Sequence, residues 1–238
     1  MNHVDSTIFL ALNSWVGSSW TVDYILLTVL GSSLLKGGVL VALLWWSWER
    51  SGAERNASTV VRTLGGALVA VAIARAMQNL MPMRPRPLHD PELAERGFLL
   101  AHNLPSDILS EWSSFPSDHA VLSFAMAMAV FAAHRGLGVF AFAWALLVSS
   151  LPRVYFGLHY PSDILAGAII GIGIMALARS LPVPQGVNLA VERFAHARRG
   201  WFYAGLFLMT YQMATVFAGV RDLAKAGSSV LALLADRI

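Results

Sequence analysis

The sequence predicts an all-α polytopic membrane protein with about six transmembrane helices and an interfacial helix near its N-terminus. Three observations lead there. Hydrophobic residues make up 56% of the 238 residues and charged residues only 13%, against about 25% charge in a soluble domain. Several apolar segments are long enough to cross the roughly 30 Å of bilayer hydrocarbon. The formal net charge is only +3, and its distribution follows membrane topology rather than a nucleic-acid-binding surface.

In order along the chain, the first element lies within MNHVDSTIFLALNSWVGSSW. Ile8, Phe9, Leu12 and Trp15 recur near helical spacing there, which predicts an amphipathic helix in the interface. The stretch lacks a basic start and a continuous apolar run, so it does not read as a signal peptide. The first span falls in 22–48 and is broken from Lys36 to Gly38. It is either one kinked span or a short surface helix followed by a span, and WWSW anchors its end at the interface. The second span covers 58–81 and ends at Pro82, and a polar loop occupies 82–115. Spans three and four cover 117–133 and 137–152. About 16 residues rise only ~24 Å, so the end these two spans share lies slightly below the membrane surface. RVYFGLHY interrupts the apolar pattern, and a fifth span follows at 161–179. A linker, 180–199, leads to a sixth span at 200–219 and an amphipathic tail, 220–238, with Arg221, Asp222, Lys225, Asp236 and Arg237. With no internal repeat, the whole of 1–238 reads as one membrane domain.

Orientation follows from arginines. Arg50, Arg55, Arg62, Arg135, Arg179, Arg193, Arg198 and Arg199 fall on one set of loops, which marks that side as cytoplasmic. The opposite face holds 82–115 and 153–160. Arg84, Arg86, Arg96 and Arg153 lie there beside histidines, so that face is expected outside the cytoplasm, towards a periplasm if there is one.

Three segments on that face carry chemistry: RAMQNLMPMRPRP (75–87), FPSDHA (115–120) and RVYFGLHYPSD (153–163). Guanidinium groups match phosphate oxygens with a planar fork. Helix N-termini, here opened near Pro116 and Pro161, offer free N–H groups to an anion. His119 and His159 supply groups able to attack or to protonate near neutral pH. Asp163 follows His159 by four residues, a spacing at which a carboxylate can accept one ring N–H and leave the other nitrogen free. The chain has no cysteine, which excludes disulfides, thiolate metal sites and Cys nucleophiles. His89 and His102 read as ordinary surface groups of the long loop.

Arg153, His159 and Asp163 stand at the spacing of the third motif of the type 2 phosphatidic acid phosphatase (PAP2) superfamily. PSDH resembles its second motif, Pro-Ser-Gly-His, and RPRP resembles the end of its first. The resemblance implies a PAP2-type helical bundle and a metal-independent membrane lipid phosphatase. It implies His159 as the nucleophile that forms a phosphohistidine, Asp163 as its orienting partner and His119 as general acid. Arg86, Arg153 and Ser117 would hold the phosphoryl oxygens. No metal and no cofactor are expected, and neither nucleic acid nor an obligate protein partner is inferred. The partners are the bilayer and a lipid phosphate or pyrophosphate, of the polyprenyl pyrophosphate, phosphatidic acid, phosphatidylglycerol phosphate or lipid A type. The location implied is a bacterial inner membrane. A phosphotransferase using the same histidine, or a non-catalytic phospholipid-binding or transport protein, are the alternatives.

Three positions depart from the family pattern. Its first-motif lysine is Asn79 here; Arg75, one helical turn earlier, is the expected substitute cation and Arg84 the competing one. Its serine before the third-motif arginine is Pro152. Its second-motif glycine is Asp118, a carboxylate expected to start the helix, and one that would repel phosphate if it faced the site.

Overall fold

The computed structural model describes residues 3–50, 57–102, 104–105, 107–220, 222–223 and 226. Arg55 and most of the expected amphipathic tail, including Arg221, Lys225, Asp236 and Arg237, lie outside them. Among the described residues the regular structure is all helical.

Helix α1 (His3–Asn13) fills the place of the expected interfacial helix. Its inner face is built into the protein: Asp5, Ser6, Phe9 and Asn13 are buried, while Ile8 and Trp15 are exposed. The Asn13 amide donates to the carbonyls of Leu99 (2.9 Å) and Tyr155 (3.1 Å) and accepts the Leu99 N–H at 2.7 Å. The N-terminal helix is therefore pinned to the long loop and to the end of a span.

Helices α2 (Trp20–Gly31) and α3 (Val39–Arg50) are bent by 70° at their break, and a π turn, Leu34–Gly38, opens the second half. Gly31, Ser32, Ser33, Gly37 and Gly38 crowd this point, the small residues and π geometry at which helices kink. Helix α4 (Ala57–Leu80) is an uninterrupted 24 residues. The polar loop holds a single 3-10 turn, Pro87–His89, and the short α5 (Pro91–Glu95). Helix α6 (Asp118–Ala133) follows. Then α7 (Arg135–Trp144), a π segment (Ala145–Ser150) and α8 (Leu151–Tyr155) form one 21-residue run. Pro152 has no N–H to bond one turn back, and the widened π segment directly precedes its turn. Helix α9 (Pro161–Ser180), the exposed α10 (Gln185–Ala197) and α11 (Arg199–Ala214) complete the order.

Among the described residues three helices are long and apolar enough to span a membrane: α4, the α7–α8 run and α9. The bent α2–α3 pair makes four if it counts as one span. The expected six is not reached on this measure. Helix α6 has 16 residues, short as anticipated, and α11 also has 16. Two boundaries move. The fourth span extends beyond 137–152, so Arg153 sits in a helical turn rather than a loop. The expected linker after Ser180 is mostly helix.

The α6–α9 contact sets the site. A Cβ at Gly167 would stand 2.7 Å from the Ser117 carbonyl oxygen, and one at Gly171 would stand 2.2 Å from that of Val121. Only glycine permits this approach, the small-xxx-small device of packed membrane helices. The two helix N-termini are drawn together, and the Ser117 N–H donates to the Asp163 carbonyl at 3.2 Å.

Candidate active site

A cavity of about 180 Å³ lies at those paired N-termini, lined by Arg75, Gln78, Arg86, Leu109, Trp112, Asp118, His119, Arg153, His159 and Asp222. Both expected histidines and three of the four candidate arginines face it.

His159 lies on the loop between α8 and α9 and is buried. Its Nδ1 is 2.9 Å from the Ser114 carbonyl oxygen. A carbonyl only accepts, so Nδ1 carries the proton and, in the neutral ring, Nε2 keeps its lone pair. Asp163 Oδ2 is 3.5 Å from Nδ1. The orienting acceptor in direct hydrogen-bond contact is thus the Ser114 carbonyl, with the Asp163 carboxylate behind it. Burial holds the His159 pKa below its ordinary value, an effect that Asp163 opposes and Arg86 and Arg153 reinforce.

Asp163 is fully buried and does not line the cavity. Its Oδ2 accepts the Tyr160 N–H at 2.8 Å and the Ser114 hydroxyl, and its Oδ1 accepts from Arg84 at 2.6 Å. It caps α9 and fixes Ser114, whose carbonyl fixes His159.

Arg86 donates to the Leu158 carbonyl at 2.6 Å and the Ser113 carbonyl at 3.4 Å, and approaches His159 Nε2 at 3.3 Å. Burial lowers its pKa, and the charges of Asp118 and Asp163 oppose that shift. Its hydrogen-bond partners among the described residues are neutral carbonyls or the histidine. The Nε atoms of Arg86 and Arg153 are both buried without a hydrogen-bond partner among the described residues. An unpaired buried donor on a cation is costly; both guanidinium groups also line the one cavity, where an anion would offset their charge.

Asp118 starts α6, as expected, and also lines the cavity. Its Oδ1 accepts the His119 backbone N–H at 2.8 Å and stands 2.9 Å from His119 Nδ1, while Oδ2 pairs with Arg75. Arg75 also donates to Gln78 Oε1 at 3.0 Å and lies over the Trp112 ring at 5.3 Å. Arg75 therefore reaches the site as expected, yet its charge is matched by Asp118. Asn79 is exposed.

Two candidates stand elsewhere. Ser117 is fully buried, and its hydroxyl accepts the Ala120 N–H at 3.4 Å, an N-cap of α6 outside the cavity lining. Arg84 is a clamp: it donates to Asp5 Oδ2 (2.7 Å), Asp163 Oδ1 (2.6 Å) and Ser162 Oγ (2.9 Å), and stacks over Tyr160 at 4.2 Å. Asp5 is held below the usual carboxylate range: burial pushes it up, and hydrogen bonds from Ser162 and Arg84 outweigh that. His89, read as a surface group, bonds to the Ile108 carbonyl at 3.0 Å and braces the loop.

The sequence reading missed Ser114, Gln78, Trp112 and Asp222 at the site, and Asp5 behind it. Only Gln78 falls in one of the three segments, and there as a neutral amide among arginines. Ser114 acts through its backbone carbonyl, which no side-chain pattern announces.

A second cavity of about 300 Å³ adjoins the first. Its lining is Leu27, Leu30, Gly31, Leu104, Ile108, Leu109 and Leu158 with His119 and Arg153. Leu109, His119 and Arg153 belong to both. Among the described residues no group of three or more His, Asp or Glu stands at metal-binding spacing.

The family model of the PAP2 superfamily matches residues 59–185, which contain all three motifs. The chain is 25% identical over 174 residues to YbjG of Escherichia coli (strain K12), provisionally named an undecaprenyl-diphosphatase; the match covers 72% of this chain and 79% of that protein. It is 48% identical over 59 residues to the lipid A 4'-phosphatase of Bacteroides thetaiotaomicron, covering 24% of this chain and 26% of that one. It is 38% identical over 62 residues to the bacitracin transport permease protein BcrC of Bacillus licheniformis, covering 25% and 29%. No solved structure matches.

Proposed function

Since this chain belongs to the PAP2 superfamily, we propose that it hydrolyses a lipid phosphomonoester or pyrophosphate by attack of His159 on phosphorus. The broader class, a membrane-bound lipid phosphatase, follows from the family, the apolar helices and relatives named as phosphatases of lipid substrates.

One observation supports the reading best: an arginine-lined cavity and an apolar cavity meet at His119 and Arg153. A phosphoryl group takes the first and the lipid tail the second. Arg86 and Arg153 hold the equatorial oxygens with the guanidinium groups that line the cavity. The His159 Nε2 lone pair attacks phosphorus, the bond to the leaving oxygen breaks, and His119 gives that oxygen a proton. Water then attacks the phosphohistidine, with His119 taking its proton, and inorganic phosphate leaves. Charge spread over the phosphoryl oxygens is met by fixed cations in a buried site, where such pairing is strongest. Asp163, Ser114 and Arg84 keep the ring oriented without touching substrate.

A polyprenyl pyrophosphate, or a broad range of lipid phosphates, suits the two cavities and the relatives' names. The arginine-rich loops on the far side of the spans favour a site facing the periplasm of an inner membrane. The test is purified protein in detergent with lipid phosphates and no acceptor lipid, with and without chelator. Phosphate release that survives the chelator and is abolished in His159→Ala is the expected result. Release retained by His159→Ala, or dependent on an acceptor lipid, rejects the hydrolase mechanism through this residue.

A further inference from the structure

Lys36 is buried in the break between α2 and α3, at 9% exposure, and no part of the mechanism above uses it. It is one of two lysines in the chain. Its ammonium donates to the Leu30 carbonyl, which the end of α2 leaves without an intrahelical partner. Leu30 and the adjacent Gly31 line the apolar cavity beside His119 and Arg153. On its other side Lys36 shares a small cavity of about 10 Å³ with His119, Leu122, Ser123 and Ser149. The lysine lines neither larger cavity itself; it is tied to the wall of the apolar one through Leu30 and shares the small cavity with His119.

The position is set by packing. A Cβ on Gly37 would stand 2.3 Å from the Ala214 carbonyl oxygen, so the break is pressed against the end of α11 and no larger residue fits. The π turn at Leu34–Gly38 aims the preceding side chain inwards. Such helix irregularities occur often at functional sites, and a buried ammonium with one carbonyl partner is costly unless it serves a charge.

We propose that Lys36 binds the second, lipid-attached phosphate of a pyrophosphate substrate and so makes the enzyme select lipid pyrophosphates over lipid monophosphates. This rests on the reading of the adjoining cavities as phosphoryl and tail sites. With the terminal phosphate between Arg86, Arg153 and His159, the bridging oxygen faces His119. The next phosphate then lies where the polar cavity gives way to the apolar one, beside Leu30 and Gly31. Arg75 is paired with Asp118, and Arg153, which lines both cavities, is taken up by the terminal phosphate; that leaves Lys36, held on the Leu30 carbonyl behind the apolar cavity's wall, as the further cation. Lysine suits this role because a compact charge on a flexible stem can swing from a carbonyl to a phosphate. When the terminal phosphoryl group moves to His159, the leaving lipid monophosphate gains charge, and a cation beside it stabilises that change. A lipid monophosphate has no phosphate there, and its leaving alcohol takes its proton from His119.

The experiment compares wild type, Lys36→Met and Lys36→Arg on farnesyl pyrophosphate and dioleoyl phosphatidic acid in one detergent. The readout is the ratio of the two kcat/KM values from each preparation, which cancels any difference in folded fraction. Lys36→Met is expected to lower that ratio tenfold or more while changing phosphatidic acid turnover less than threefold. An unchanged ratio, or an equal loss on both lipids, overturns the assignment of Lys36 and leaves the phosphatase reading standing. Wild-type protein that releases phosphate from neither lipid overturns both. Lys36→Arg keeps the charge, and partial recovery of the ratio is the expected sign that charge, not packing, sets it.

Discussion

Asp118 Oδ1 stands 2.9 Å from His119 Nδ1 in the lining of the arginine-lined cavity, with the other carboxylate oxygen on Arg75. The acid in place of the family glycine thus faces inwards and is neutralised where it stands. Asp118 accepts from His119 Nδ1 as the Ser114 carbonyl accepts from His159 Nδ1, and a general acid at His119 needs a second proton, on Nε2.

Replacing Asp118 should separate binding from chemistry. Asp118→Asn weakens the hold on the His119 ring and lowers kcat on the order of tenfold to a hundredfold, part of the ~10²–10⁴ that a positioned acid contributes. Asp118→Gly also releases Arg75 to the substrate, so KM should fall along with kcat. Steady-state kinetics on one lipid phosphate checks both; a rise in kcat for either variant rejects the role.

The pH dependence follows from burial of His159. To act as the proposed nucleophile His159 must be neutral, and its pKa is held below the ordinary 6.5 by burial, with Asp163 opposing. Activity is therefore lost as pH falls through that lowered pKa, and the acidic limb of kcat/KM should lie below pH 6.5. Asp163→Asn removes the opposing charge and should move the limb lower still. A limb above the ordinary value would mean that the titrating group is not this histidine.

Arg84 and Arg153 should fail differently. Arg84→Met removes a clamp between Asp5 and Asp163, and stability should drop by about 2 kcal/mol, below the ~3–5 of a fully buried pair because Arg84 is partly exposed. Activity per folded molecule should fall less than for an arginine that lines the cavity, because Arg84 reaches His159 only through Asp163. Arg153→Lys keeps the charge but loses the planar fork and should cost roughly tenfold or more in kcat/KM with little change in melting temperature. Thermal unfolding with kinetics on the same samples distinguishes the two patterns.

Filling the apolar cavity tests the tail site. Leu27→Trp and Leu104→Trp introduce bulk into its wall. Turnover of a long-chain lipid phosphate should fall severalfold, while hydrolysis of a small water-soluble phosphate ester should be kept. Equal loss on both would place the tail elsewhere.

The sequence made some of this legible and hid the rest for physical reasons. His119, His159, Arg86 and Arg153 reach one cavity because their motifs flank helix ends that Gly167 and Gly171 draw together. Spacing alone did not separate a residue that touches substrate from one that holds it: Ser117 and Arg84 occupy motif segments yet serve as a cap and a clamp. Which way Asp118 turns was not legible, because a charge near an anion site looks repulsive until its partner is seen. The partner, Arg75, is 43 residues away. Lys36 showed in the sequence only as a break in an apolar run.

The meeting of a polar and an apolar cavity also sets how turnover should be reckoned. A substrate whose tail stays among helix side chains need not pass through water to reach Arg153. The concentration governing encounter is then the mole fraction of lipid phosphate in the membrane. Diluting the substrate with inert lipid at fixed total substrate should slow the enzyme, whereas diluting the whole suspension should not change the rate per enzyme.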